Sequence, residues 1–329
     1  MKIIEQHNLA KPFVKWVGGK GQLIQQLKQN LPIELYNQRF TYFEPFVGGG
    51  AMLFFMLNNF PSIKRVYIND INQNLTETYK AIKHRPKELI YRLKHIEKQF
   101  LRIKDNNERK LFYLELRKRF NEENVSTIDK TSFFIFLNRT CFNGLYRENS
   151  NGKFNVPFGR YNNPTICNEE LIFTDSEILN KFDVRIMNGD YKLTAQNVDE
   201  FGLNFFYFDP PYRPLSSTSS FNSYVKDVFD DDCQRGLANF CRHLNSKNNV
   251  LWMLSNSDCS AKNPSDTFFE NLYDGFCIQR VYASRMVNSN ASKRGKLTEL
   301  LIKNYDYPLK KLRKQKHSDE NLIITHQAI

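Results

Sequence analysis

The chain predicts an α/β fold, a mostly parallel sheet covered by helices on both faces and interrupted by an inserted unit of helices plus one β-hairpin. Three observations carry this. Apolar, strand-like runs ending in an acid or a glycine turn alternate with helical segments over 1–80 and again over 183–308, the alternation that builds parallel sheets. The intervening 81–182 shows a charged helical period instead, and Asn151-Gly152 within it marks a tight hairpin turn.

The elements follow in order. Phe13-Val14-Lys15-Trp16-Val17-Gly18-Gly19-Lys20-Gly21 precedes a helix expected from Gln22 to Asn30. Its Gly-Gly-Lys invites comparison with a phosphate-binding loop. Such a loop needs a glycine five residues before the Gly-Lys pair and Ser or Thr after it, and Val14 and Gly21 stand there. Tyr42 to Met52 reads as strand, glycine turn and helix start, with Phe46 leading into Gly48-Gly49-Gly50; glycines let a ligand approach the backbone closely. A dinucleotide fingerprint requires a third glycine where Leu53 stands. Val66 to Asp70 is a short strand ending in an acid about 20 residues after that turn, the place for a carboxylate on a ribose hydroxyl pair.

In the insertion, Leu89, Ile90, Leu93, Ile96 and Phe100 recur at helical spacing within a charged stretch from Arg85 to Asn124. A second helix is expected from Lys130 to Leu137, and Asn151-Gly152 should place Tyr146–Ser150 opposite Lys153–Pro157. Alternation resumes with a strand at Val184–Met187, followed by Asn188-Gly189-Asp190-Tyr191. Residues 309–329 form a polar basic tail, solvated and open to phosphate attraction.

The most informative segment is Asp209-Pro210-Pro211-Tyr212, directly after the apolar run Phe205–Phe208. A carboxylate there sits at a strand's C-terminal end, where open α/β sheets bind ligands. The two prolines fix φ and remove two N–H donors, leaving a rigid acceptor site beside an aromatic ring. An exocyclic amine of a nucleobase needs such a site. Composition points the same way: 47 Lys+Arg against 35 Asp+Glu give a net charge of +12, and 14% of residues are aromatic, so a polyanion that can be stacked upon is the expected partner. Six cysteines include no Cys-x-x-Cys pair and no nearby histidine set, so neither zinc nor a disulfide framework is indicated. Reduced thiols, a terminus without an apolar signal region and no membrane-length apolar run make the cytoplasm the expected location.

Taken together and in this order, these motifs resemble the Dam-type adenine-N6 DNA methyltransferases, including those of GATC-specific restriction systems. The resemblance runs from about Lys11 to Tyr305 and extends to the family's target-recognition hairpin, Asn138 to Arg147 and Asn155 to Tyr161. It implies a Rossmann-like S-adenosylmethionine methyltransferase fold, with a catalytic domain over 1–80 and 183–308 and a target-recognition domain over 81–182. It implies methylation of adenine in double-stranded DNA, most specifically at 5′-GATC-3′, by base flipping and direct transfer. Asp209 and the Pro210 carbonyl would accept the two N6 hydrogens while Tyr212 stacks on the base. Trp16, Lys20, Phe46, Gly48 and Asp70 would line the cofactor cavity with Asp209, and Asp190 would meet the cofactor's adenine. Lys15 and Arg147 would read guanines, Leu145 and Pro157 a thymine methyl, and Phe142 would fill the gap left by the flipped base. Arg139 and Arg160 would contact phosphates, and Cys141 would pack. A monomer suits a palindrome methylated one strand per visit, and a cognate endonuclease is a further expected partner. Two other readings stay open: a cytosine-N4 methyltransferase, whose members usually carry Ser in place of Asp209, and a non-catalytic DNA-binding module.

Overall fold

A computed structural model describes residues 9–122, 124–213, 229–283 and 297–306; the basic tail lies outside them. Seven strands, β1 (Phe40–Glu44), β2 (Ile63–Asp70), β3 (Val184–Asn188), β4 (Leu203–Phe208), β5 (Val250–Ser257), β6 (Cys277–Ala283) and β7 (Leu297–Lys303), form one sheet in the order 3-2-1-4-5-7-6. The neighbours among β1 to β5 are parallel, and β7 runs antiparallel to both β5 and β6. From β1 the chain steps outward to β2 and β3, then returns to lay β4 on the other side of β1. The loops after β1 and β4 therefore diverge and open a crevice at that switch point.

The central strands read as unbroken apolar runs because both sheet faces are covered. On one face Tyr42, Val66, Phe205 and Tyr207 join one core, and on the other Phe43, Tyr67, Phe206 and Phe208 join a second. Phe43 and Phe206 stack across β1 and β4 at 4.1 Å between centroids. The covering helices are α1 (Ile24–Asn30), α2 (Glu34–Asn37), α3 (Ala51–Asn59), α4 (Gln73–His84), α5 (Pro86–Arg102), α6 (Asn106–Phe120), α7 (Thr127–Thr140), α8 (Glu169–Lys181), α9 (Asp231–Asn245) and α10 (Phe268–Leu272).

Several expected boundaries move. The helix expected from Gln22, α1, starts at Ile24, after a 3₁₀ turn at Lys20–Gln22. The helical stretch from Arg85 splits into α5 and α6, since Asp105 accepts hydrogen bonds from the amides of Asn107 (2.8 Å) and Glu108 (2.9 Å) and so starts a new helix. The buried face of α5 is Leu89, Ile90, Leu93, Ile96 and Phe100, as its spacing predicts. α7 is longer than expected, and α8 has no counterpart in the sequence reading. The hairpin loop is three residues, not two. Asn149 pairs with Lys153, and Gly152 N donates to Asn149 O at 2.9 Å. Oδ1 of Asn149 accepts from the amides of Asn151 and Lys153, each at 3.0 Å, so only Gly152 needs a positive φ (69°). The register accordingly slips by one residue, with Glu148 opposite Phe154.

The insertion shares the core of the sheet. One continuous cluster of buried side chains runs from Phe40 and Val66 through Tyr79 to Leu93, Phe100 and Phe136, and the boundary expected at residue 80 falls inside α4. Phe136 is fully buried, with Phe100 and Phe112 meeting its ring edge-on at 5.4 and 5.8 Å. Phe136→Ala should therefore cost about 3–5 kcal/mol and lower one cooperative transition for the whole chain. Calorimetry that resolved two separate transitions would show instead that the insertion folds alone.

Candidate active site at the switch point of the sheet

Asp209 follows the last residue of β4 and faces the crevice. Its Oδ1 lies 2.8 Å from Lys20 Nζ, whose side chain is only 5% exposed. The same ammonium donates to the Gly18 carbonyl at 2.9 Å and lies 4.4 Å from the centre of the Tyr212 ring. Tyr212 donates its hydroxyl to Glu299 Oε2 at 2.5 Å. Burial pushes the Asp209 carboxyl up to about 6, against the pull of Lys20 in the opposite direction. The loop is held from behind: Gln234 donates to the Pro211 carbonyl at 3.0 Å, and Asn256 donates to Gln234 at 3.0 Å. Arg213 bridges Asp231 and Asp266 at 2.7 Å each.

Across the crevice, the ends of β1, β2 and β3 are stitched together by Asn69. Its buried amide donates to the carbonyls of Pro45 (3.1 Å) and Gly189 (2.9 Å). Asp70 accepts from Gly48 N at 3.0 Å and Asn72 N at 2.9 Å, and burial raises its carboxyl above the ordinary range. Gly48 adopts φ 49°, and a Cβ there would come within 2.9 Å of the Trp16 indole. The indole itself is thus one reason for the glycine turn. Asp190 is exposed and caps the 3₁₀ turn after β3 by accepting from Lys192 N at 2.8 Å, while Phe46 packs on Tyr191 at 5.2 Å.

One cleft of about 2230 Å³ joins these parts. Trp16, Lys20, Phe46, Gly48, Asp70 and Asp190 line it, as do Asp209, Pro210 and Tyr212. Phe142, Leu145, Arg147 and Pro157 line its other wall. Phe142 is 52% exposed. Arg147 is set by a 2.7 Å bond from Nε to Asn155 Oδ1. Lys15, Arg139 and Arg160 do not line the cleft. Lys15 Nζ lies 5.0 Å from the Tyr161 ring centre, and Arg160 is exposed with φ 55°. Arg139 donates to the Phe13 carbonyl at 2.6 Å, and burial lowers its pKa; at least one of its donors is spent inside the protein. Cys141 packs: it is buried, its thiol donates to the Leu145 carbonyl, and burial raises it to about 11.

Sequence reading left several participants unnamed. Asn138 grips the Lys15 peptide from both sides, at 2.8 Å to its N and 2.8 Å to its O. Tyr146 stacks on Trp16 at 5.5 Å, linking the hairpin to the glycine turn. Glu44 is a buried carboxyl that accepts from Tyr42 OH at 2.7 Å and is pushed well above the carboxylate range by burial. Gln234 and Glu299 complete the set.

A carboxylate-Pro-Pro-aromatic turn at the switch point of this sheet, in a cleft shared with a hairpin carrying an arginine, has the parts of an enzyme that methylates an amine of a nucleic-acid base. Residues 16–287 match the D12 class of N6 adenine-specific DNA methyltransferases, and the chain belongs to that family. It is 45% identical over 300 residues to the type II methyltransferase M.MjaIII of Methanocaldococcus jannaschii, covering 90% of this chain and 99% of that protein. Identity is 38% to the type II methyltransferase M1.LlaDCHI of Lactococcus lactis, covering 93% and 99%. With the DNA adenine methylase of Vibrio cholerae it is 33%, covering 88% and 95%.

The raised Asp209 carboxyl gives a pH dependence with a definite sign. A carboxyl that titrates near 6 is an acceptor above that value and a donor below it, so methylation should fall as pH drops through about 6. A rate that stays level from about pH 8 to about pH 5 in a single-turnover assay would remove Asp209 as the acceptor.

Proposed function

We propose that this chain transfers a methyl group from S-adenosylmethionine to adenine N6 within 5′-GATC-3′ of double-stranded DNA, acting as a monomer on a base rotated out of the helix. The observation that carries the reading is the single cleft lined both by Asp209-Pro210-Pro211-Tyr212 and by the hairpin residues Leu145, Arg147 and Pro157. An amine inside a duplex is out of reach of such a turn, so the base must leave the stack.

The residues present fit the cofactor. Asp70 has a carboxylate at the end of β2 facing the cleft, steadied by two backbone amides, and is suited to hold a ribose hydroxyl pair. The turn from Phe46 to Gly48 would bear the methionine part, with Trp16 and Lys20 alongside, and the exposed Asp190 would accept from the adenine amine. When bound, S-adenosylmethionine supplies an electrophilic sulfonium methyl. The protein's task is to make N6 nucleophilic. Asp209 and the Pro210 carbonyl accept the two amine hydrogens, which turns the nitrogen lone pair out of conjugation with the ring. The Lys20 bond occupies Oδ1 of Asp209, leaving the second oxygen for the amine. Tyr212 forms a wall of the base pocket.

Readout rests on the hairpin. Arg147 and Lys15 offer cationic donors to guanine O6 and N7, Leu145 and Pro157 an apolar contact to a thymine methyl, and exposed Phe142 a ring to fill the vacated stack. Arg160 is placed as a phosphate contact, whereas Arg139 serves here to hold the Phe13 backbone. The type II names of two relatives support a companion endonuclease with the same target.

Asp209→Asn keeps the size of the side chain but replaces an acceptor oxygen by a donor. It should abolish transfer while DNA binding survives; near-normal turnover at saturating cofactor would sink the assignment. Arg147→Ala should lose about 1–3 kcal/mol of discrimination and relax the outer base pair of the target. Single-molecule sequencing of DNA from cells expressing the chain reads both points, and modified adenines mainly outside GATC would overturn the proposed target.

A further inference from the structure

Glu299 lies in mid-strand on β7, opposite Ser257 of β5 and Val281 of β6. Its side chain is only 13% exposed, yet it faces the Asp209 site: Oε2 accepts the Tyr212 hydroxyl at 2.5 Å and lies 3.9 Å from Lys20 Nζ. One ammonium thus stands between two carboxylates, Asp209 at 2.8 Å and Glu299 at 3.9 Å. Of the other acids in this part of the cleft, Glu44 is raised well above the carboxylate range by burial, against the opposing pull of the Tyr42 hydroxyl it accepts, and Asp70 accepts from two backbone amides. Lys20 with ionised Asp209 and Glu299 carries one net negative charge in a partly dehydrated place, which is costly unless a cation completes it. DNA cannot supply that cation, since its phosphates are repelled and adenine is neutral. The methyl donor can, because its sulfonium is positive before transfer and a neutral thioether afterwards.

We propose that Glu299 is a positioning residue that, through Lys20 and Tyr212, leaves the methyl-transfer site one negative charge in excess and so makes the cleft favour the sulfonium cofactor over its spent thioether. The idea rests on the S-adenosylmethionine reading above. It assigns Glu299 a task beyond holding the Tyr212 ring: the preference is strongest before transfer and lapses when the charge is gone, which favours exchange of product for fresh cofactor.

The test is calorimetric titration of the full chain with S-adenosylmethionine and S-adenosylhomocysteine. Glu299→Gln keeps an acceptor for Tyr212 but removes the charge. It should lower the ratio of the two affinities roughly tenfold, the scale for a unit charge about 10 Å away at an effective dielectric of about 20, by weakening the sulfonium compound alone. Glu299→Asp should keep the ratio, and so should Tyr212→Phe, which breaks the hydrogen bond and spares the charge. Equal losses on both compounds, or an unchanged ratio in Glu299→Gln, would overturn the role of Glu299. A measurement on the unmutated chain needs no variant to fold: the ratio should also fall as Asp209 gains its proton near 6, and a ratio constant from about pH 7 to about pH 5 would count against the charge argument. Failure of the unmutated chain to bind either compound would overturn the cofactor reading itself, a result distinct from binding both with no role for Glu299.

Discussion

One buried carboxamide fixes the relation of every working part. Asn138, near the end of α7, accepts from the Lys15 amide and donates to the carbonyls of Lys15 and Gly144. In doing so it holds three things at once: the segment that delivers Trp16 and Lys20 to the cleft, the helix at the heart of the insertion, and the loop that starts the hairpin. An amide buried this deeply is stable only when its groups are paired, and here both its oxygen and its nitrogen are. Arg139, the next residue, adds its bond to Phe13. The segment from Phe13 to Lys20 thus behaves as part of the insertion at one end and of the sheet at the other.

Electrostatics at the site follow from that placement. Lys20 arrives buried and next to Asp209, so each ion is supported by the other in a place where neither would be stable alone. The pairing explains why the carboxyl rises only to about 6 in a buried setting. It also sets a lysine within hydrogen-bonding distance of Asp209, where an ammonium makes the same kind of contact as the amine of the proposed reaction would.

What could be read in the sequence was what is local. The apolar run before Asp209, the glycine turn and the acid ending β2 each signal their structure within a few residues, and the strand order that brings them together follows from simple rules of connection. The face of α5 was legible for the same reason. The rest depends on tertiary partners. Nothing around Glu299 distinguishes it from any acid in a strand until β7 is inserted between β5 and β6. The phosphate contact expected of Arg139 gave no hint of Phe13, which is 126 positions away. The hairpin register turned on one side chain, Asn149, whose bonds to two amides outweighed the two-residue turn that Asn-Gly favours.

The continuous core has an architectural consequence. Cutting the chain at the ends of the insertion would sever α4 and lay open the apolar faces that α4 and α7 share with the layers beneath the sheet. The inserted unit therefore cannot be grafted between relatives as a cassette. Exposed side chains there, such as Phe142, Lys153 and Pro157, can still vary without disturbing what lies below. Under the proposed readout, new target sequences would arise by exchange of single side chains on a fixed frame, and the frame would limit how far that drift can go.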